Sequence, residues 1–284
     1  MTAYVEFGAD VAEVWRYPGG EIGVRARVDV AAPQRLCAHV RSSDEWMALV
    51  MYLAAVPGAV EEVRLPYLPY ARQDRVAAPG DPDAVAAFAR LAAATGVRRF
   101  RTLDVHSPAA IAAFRAAGLE LTSESAVPWM RRFVAGAAPG PLWFVSPDAG
   151  ARRRTAEAAA AISTDDRPVG VVPCRKVRDP VTGRLRAFAV EEDAPRELGP
   201  APVVVVVDDI CDGGGTFLGV AAALAERYGA AFTPDLWTTH GIYSRGLDDL
   251  LRVYGRLGCT DSFRHGLAHP RLTTLSAHHA EVAP

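Results

Sequence analysis

Three carboxylates, Asp208, Asp209 and Asp212, follow five consecutive valines, Val203 to Val207, and lead into Gly213, Gly214, Gly215 and Thr216. Carboxylates side by side can accept hydrogen bonds from sugar hydroxyls or approach a magnesium ion. Glycines immediately after them let the backbone turn tightly, so that successive N–H groups can face one anion. Residues 216 to 228 read as a helix stopped by Gly229, and a helix N-terminus favours negative charge through its dipole. The stretch is a strand, an anion-cradling loop and a helix start in succession. A plain strand-to-helix turn with solvated aspartates is the bland alternative, but buried strands rarely end in three carboxylates.

Other groups carry charge where open α/β sheets place their ligands. Arg72, Gln73, Asp74 and Arg75 follow Tyr67 and Tyr70 just past a strand read at 60–65. Asp104 and His106 stand two apart at the end of a strand read at 101–106. They would share one face there, which suits a metal or a phosphate, with a structural histidine as the alternative. Lys176 and Arg178 precede a turn or hairpin read at 179–186. On such a loop they could fold over a phosphate chain and neutralise charge developing in phosphoryl transfer, whereas the bland reading is a solvated basic loop.

The elements that must position these groups alternate between strand and helix. Ser42-Ser43-Asp44-Glu45 offers a capping box for a helix running to about residue 55. Asp81-Pro82 reads as the start of a helix closed by Gly96, and Ser107-Pro108 as the start of one closed by Gly118. A second series has strands at 142–145, 169–172, 203–207 and 236–239, with helices from Ala151, from Thr216 and at 247–254. Between the two series the composition turns to Ala, Gly and Pro, which places a domain boundary at 132/133. The expected class is α/β, with two domains, 1–132 and 133–284, and mainly parallel sheets.

Composition excludes some functions. The 284 residues are 50% apolar and 23% charged with a net charge of −2, so no general electrostatic attraction to nucleic acid is expected. Cys37, Cys174, Cys211 and Cys259 lie far apart and read as reduced thiols of a cytoplasmic protein. Neither a signal peptide nor an apolar run of membrane-spanning length is read in the sequence.

The loop satisfies neither G-x-x-x-x-G-K-[ST] nor G-x-G-x-x-G. It resembles the phosphoribosyl-diphosphate motif of the phosphoribosyltransferase fold. Further blocks, Tyr17-Pro-Gly-Gly-Glu21, Pro66-Tyr-Leu-Pro-Tyr-Ala-Arg-Gln-Asp-Arg75, Thr102-Leu-Asp-Val-His106, Val145-Ser-Pro-Asp-Ala-Gly150, Lys176-Val-Arg178 and Thr239-His-Gly241, resemble in order and spacing the ribose-phosphate pyrophosphokinase family over nearly the full length. The resemblance implies two phosphoribosyltransferase-like (Rossmann-like) domains, ATP at the N-terminal block and ribose 5-phosphate at the C-terminal loop. It implies that Arg72 and Gln73 hold ATP, and that Tyr17 and Glu21 contact adenine from a neighbouring subunit, hence a homo-oligomer of at least two chains. By the same resemblance His106 and Asp148 are associated with Mg2+, and Lys176 and Arg178 steady the transferred diphosphate. Asp208 and Asp209 would hold ribose hydroxyls, and Asp212, Gly213, Gly214, Gly215 and Thr216 the 5-phosphate.

Two departures from the family pattern bear on the substrate. Gly19 stands where the family has Asp, and Gly213 where it has a Thr that donates to the 5-phosphate. Losing that hydroxyl removes a hydrogen bond to a charged partner, about 1.5–3 kcal/mol, and leaves more room near the 5-position. Ribose 5-phosphate is the expected acceptor; ADP-ribose, giving ADP-ribose 1-pyrophosphate for NAD resynthesis, is the alternative. The segment before Tyr17 is shorter than in the family, which leaves hexamer formation and phosphate regulation open. From other functional classes come a phosphoribosyltransferase that consumes the diphosphate and a non-catalytic regulatory paralogue. The Arg72-Gln73 block argues against the first, and the retained charged residues against the second.

Overall fold

The computed structural model describes residues 4–29, 31–178, 185–229, 232–263 and 266–277. It falls into two compact units, Met1–Ser125 and Ala126–Pro284.

The first unit contains β1 (Val5–Glu6), β2 (Ala12–Arg16), β3 (Ile22–Ala26), β4 (Arg35–Cys37), α1 (Ser43–Ala55), β5 (Glu62–Leu65), α2 (Ala84–Ala93), β6 (Arg99–Leu103), α3 (Pro108–Ala116) and β7 (Glu120–Glu124). Its sheet runs β1-β4-β5-β6-β7, all parallel, while β2 and β3 form a separate antiparallel hairpin. Leu36, Val63, Leu65 and Phe100 from the strands pack with Leu49, Phe88 and Phe114 from the helices in one core. Helix α1 starts as its sequence dictates, with the Ser42 hydroxyl accepting from the Glu45 N–H at 3.2 Å. The expected start of α2 at Asp81-Pro82 is two to three residues early. Asp83 caps that helix by accepting from the Ala86 N–H at 3.0 Å, and Asp81 instead accepts from the Ala78 N–H at 2.9 Å.

The second unit contains α4 (Val127–Ala135), β8 (Leu142–Ser146), α5 (Arg152–Ile162), β9 (Val169–Arg178), β10 (Leu185–Val190), β11 (Val203–Cys211), α6 (Gly215–Tyr228), β12 (Asp235–Gly241), α7 (Asp248–Val253), β13 (Leu257–Thr260) and β14 (Leu272–Leu275). The boundary expected at 132/133 falls inside α4. The sheet order is β10-β9-β8-β11-β12-β13-β14, parallel except for the β9/β10 pair. From β8 the chain crosses to β9 on one side, and the later strands β11, β12, β13 and β14 add on the other. The β8/β11 neighbourhood is therefore a topological switch point, where the crevice beyond the carboxyl ends of the strands receives ligands in open α/β sheets. Valines 204–207 of β11 are at most 2% exposed, which explains the unbroken valine run. Each contributes about 1.5–3 kcal/mol of burial.

Candidate active site

At the switch point, β11 does not stop at its acidic pair. It continues to Cys211, because β12 supplies a parallel ladder in which Asp208 lies beside Thr238 and Ile210 beside His240. The expected strand end at Val207 is corrected accordingly, and the loop proper is Asp212-Gly213-Gly214. Asp209 is buried and Asp208 half-buried, and the Asp209 N–H donates to Asp208 Oδ1 at 2.9 Å. Arg154 of α5 reaches across, its Nη1 at 3.6 Å from Asp209 Oδ1 and 3.8 Å from Asp208 Oδ1. Burial and the neighbouring Asp209 carboxylate push Asp208 well above the ordinary carboxylate range. The pair thus has one cation beside it, the Arg154 guanidinium.

Gly214 forms the N-cap of α6 in the left-handed conformation, φ 78°, which favours glycine. No side chain caps this helix start, and an uncapped helix N-terminus can receive an anion; Phe217 N–H is used within the turn, donating to Gly214 O at 3.0 Å. The loop is braced from the turn after β12. Ile242 and Tyr243 N–H donate to Cys211 O at 2.9 and 3.1 Å, Ser244 N–H donates to Asp212 O at 3.3 Å, and the Ser244 hydroxyl donates to Asp212 Oδ1 at 2.6 Å. Tyr243 holds φ 50° to make that turn.

Beside this loop, Asp148 sits in the turn after β8. Its Oδ1 accepts from the N–H groups of Gly150 at 2.9 Å and Ala151 at 3.2 Å, and its Oδ2 is ion-paired with Lys176. Burial alone would raise Asp148, but Lys176 and the two N–H groups hold it below the ordinary range. Lys176 is the only lysine among 30 arginines and itself. It was expected on a loop, yet it lies within β9 opposite Phe188 of the antiparallel β10. The backbone of Arg178 ends β9; its side chain and residues 179–184 lie outside the described residues.

In the first unit, Arg72 and Gln73 are exposed in the segment after β5. That segment is tied down by Gln73 N–H to Tyr70 O at 2.8 Å, Val85 N–H to Gln73 O at 3.2 Å, and the Ser107 hydroxyl to Asp74. Ser107 also caps α3, accepting from the Ala109 N–H at 3.2 Å, so the Arg72–Gln73 segment and the residue next to His106 are linked directly. The expected shared face of Asp104 and His106 does not form. Strand β6 ends at Leu103, and Asp104 turns out of it with φ 44°. Tyr17 and Glu21 lie exposed at the tip of the β2/β3 hairpin, where Tyr17 N–H donates to Glu21 O at 2.9 Å. Tyr70, Asp104 and Tyr243 are three of the four non-glycine residues with positive φ among the described residues, and each adjoins a candidate binding segment.

Among the described residues there is no group of three or more His, Cys, Asp or Glu arranged to hold a metal. A single carboxylate such as Asp148 is compatible with a magnesium ion, since Mg2+ commonly uses one or two protein carboxylates and fills its other positions with waters or phosphate oxygens. The four cysteines are free and buried, and burial pushes Cys174 up to about 12 and Cys259 up to about 11, which leaves these thiols inert near neutrality. No described helix is long and apolar enough to cross a membrane. Sequence reasoning missed Arg154, hidden in the run Arg152-Arg153-Arg154, and Arg245, which lies beside Gly213.

No known family model matches the chain. It is 31% identical over 209 residues to the ribose-phosphate pyrophosphokinase of Granulibacter bethesdensis, a match covering 72% of this chain and 62% of that relative's length. It is 30% identical over 260 residues to the ribose-phosphate pyrophosphokinase of Methanopyrus kandleri, covering 88% of this chain and 83% of the relative. The fold matches the crystal structure of phosphoribosylpyrophosphate synthetase from Mycobacterium smegmatis with a TM-score of 0.76 at 22% identity, over 94% of this chain and 86% of that one. The two units therefore have the phosphoribosyltransferase-like α/β architecture expected from the sequence, and the chain belongs to the ribose-phosphate pyrophosphokinase family.

Proposed function

We propose that the protein transfers the β,γ-diphosphate of ATP to the C1 hydroxyl of ribose 5-phosphate, giving phosphoribosyl diphosphate and AMP. The observation that carries this reading is the switch-point loop. Asp208 and Asp209 are adjacent near the carboxyl end of a buried strand, and an uncapped helix N-terminus follows three residues after Asp212. That order suits a sugar whose hydroxyls meet carboxylates while its 5-phosphate meets backbone N–H groups. The C1 oxygen forms a bond to the β-phosphorus as the bond from that phosphorus to the oxygen bridging the α-phosphate breaks. The electron pair leaves with AMP, and the hydroxyl proton goes to solvent.

Such a transfer needs positioning and cations more than a strong base. Residues 1–132 would serve as the ATP-binding domain, with Arg72 and Gln73 holding ATP and Tyr17 and Glu21 of a second subunit at the adenine. Residues 133–284 would hold the ribose phosphate, and Lys176 and Arg178 would steady the transferred group. His106 and Asp148 are the residues that would associate with Mg2+, which would supply charge neutralisation when bound.

ADP-ribose is the second acceptor reading, and it rested on space left at Gly213. A β-carbon there would lie 3.3 Å from Arg245 Nε, so the place of a threonine side chain is taken by a guanidinium, a donor suited to a monophosphate or a diphosphate. Incubation with ATP, Mg2+ and either acceptor, with AMP quantified and the sugar product identified by mass, tests both readings. A sugar 1-diphosphate from either acceptor supports the reaction class, and its absence from both contradicts it.

A further inference from the structure

Arg245 follows Ser244 in the turn that braces the phosphate loop. Its side chain lies against Gly213: a β-carbon on that glycine would meet Nε at 3.3 Å and Cδ at 3.4 Å. The turn is fixed there by the hydrogen bonds from Ile242, Tyr243 and Ser244 to Cys211 and Asp212, and closed by Gly246 N–H to Tyr243 O at 2.9 Å. Arg245 is exposed and has no hydrogen-bond or ion-pair partner among the described residues.

Cations stabilise helix C-termini, whereas the N-terminus of α6, one residue beyond Gly214, carries the positive end of the dipole. Gly213 thus has an exposed guanidinium from the neighbouring turn on one side and the uncapped N-terminus of α6 two residues on, and both favour an anion. A β-carbon on Gly213 would press on Nε and Cδ at tight van der Waals distance, so the glycine gives the guanidinium room.

We infer that Arg245 is a substrate-binding residue that contacts the phosphate attached at C5 of the ribose, supplying from the neighbouring turn the side-chain donor that Gly213 lacks. The inference rests on the assignment of this loop to the sugar phosphate and names which side chain reads it. A guanidinium can grip two phosphate oxygens at once, which a hydroxyl cannot. The same contact serves a terminal 5-phosphate or the first phosphate of a 5-diphosphate.

The test is calorimetric titration of the full chain and its R245A, R245K, G213T and G213T/R245A variants with ribose 5-phosphate and, separately, with ADP-ribose, alongside ATP titrations and apo thermal unfolding. The expected result is a loss of about tenfold or more in ribose 5-phosphate affinity for R245A (tenfold is about 1.4 kcal/mol), with ATP affinity and apo unfolding unchanged. R245K recovers part of that loss through its charge. G213T weakens binding by crowding the guanidinium, and adding R245A to it binds better than R245A alone because the hydroxyl then takes over. A matching loss with ADP-ribose assigns the contact to the phosphate at C5, and a larger one to the diphosphate. Equal affinity of wild type and R245A for ribose phosphates overturns the inference while leaving the loop assignment intact. Failure of the wild type to bind either sugar, with ATP still bound, overturns the loop assignment and the inference with it.

Discussion

Lys176 and Asp148 are ion-paired at the carboxyl ends of neighbouring strands, the lysine in β9 and the aspartate in the turn after β8. A chain that uses arginine 30 times and lysine once places its only ammonium there. An ammonium is a compact point charge with three rotatable donors, suited to a phosphate group that moves during transfer. K176A should lower kcat for AMP release by roughly 100- to 1000-fold, the usual cost of removing one charged donor to developing negative charge. K176R should recover only part of it. Unchanged kcat in K176A, by steady-state assay, would remove Lys176 from the transfer.

Because Lys176 is the only side-chain amine in the sequence, an amine-acylating reagent becomes a site-specific probe. Mass spectrometry of digested protein should show acylation at Lys176 in the apo protein, and slower acylation when ATP is present. Equal labelling with and without ATP would mean that the nucleotide phosphates do not reach this residue.

The acidic pair gives a pH dependence whose sign is fixed. Asp208 is raised by burial and by Asp209, so from its ordinary value near 3.8 up to its folded value the native state binds more protons than the unfolded state. Its contribution to stability therefore falls as pH rises through that window. Sugar binding runs the other way, since the ionised carboxylate offers two charged oxygens to hydroxyl donors and makes the stronger hydrogen bonds. D208N should match or exceed the wild type in unfolding midpoint at neutral pH while losing sugar affinity. A drop in both, measured by thermal unfolding and titration, would contradict the assignment.

Arg154 lowers the cost of charging that pair, with its Nη1 at 3.6 and 3.8 Å from the two carboxylates. R154A should shift the onset of sugar binding to higher pH, and R154K should shift it less. A pH profile of sugar affinity identical to that of wild type would show that Arg154 only packs.

In the first unit, Ser107 both caps α3 and donates to Asp74. S107A should cost about 1 kcal/mol of stability in denaturant titration, the usual value of a lost N-cap. It should also weaken ATP binding, because the Arg72–Gln73 segment loses an anchor. Weaker ATP binding without loss of stability would contradict the capping role.

Local sequence carried the valine strand, the glycine loop and the caps of α1 and α3, because each depends on neighbours within a few residues. Contacts made across the fold were not legible in that way. The continuation of β11 through Asp208 and Asp209 depends on the ladder from β12 and on Arg154 arriving from α5. The turn at Asp104 replaces an extended residue by a left-handed one, which no alternation pattern announces. Arg245 lies 32 residues after Gly213, and only the packing of the turn after β12 against the loop shows their proximity.

The most direct measurement is the fate of the γ-phosphorus of ATP labelled at that position and incubated with Mg2+ and ribose 5-phosphate. Diphosphate transfer predicts label in the sugar product and AMP as the only nucleotide product, in equal amounts. Label in the sugar with ADP as co-product would mean single phosphoryl transfer, and no label in any sugar would contradict the account altogether.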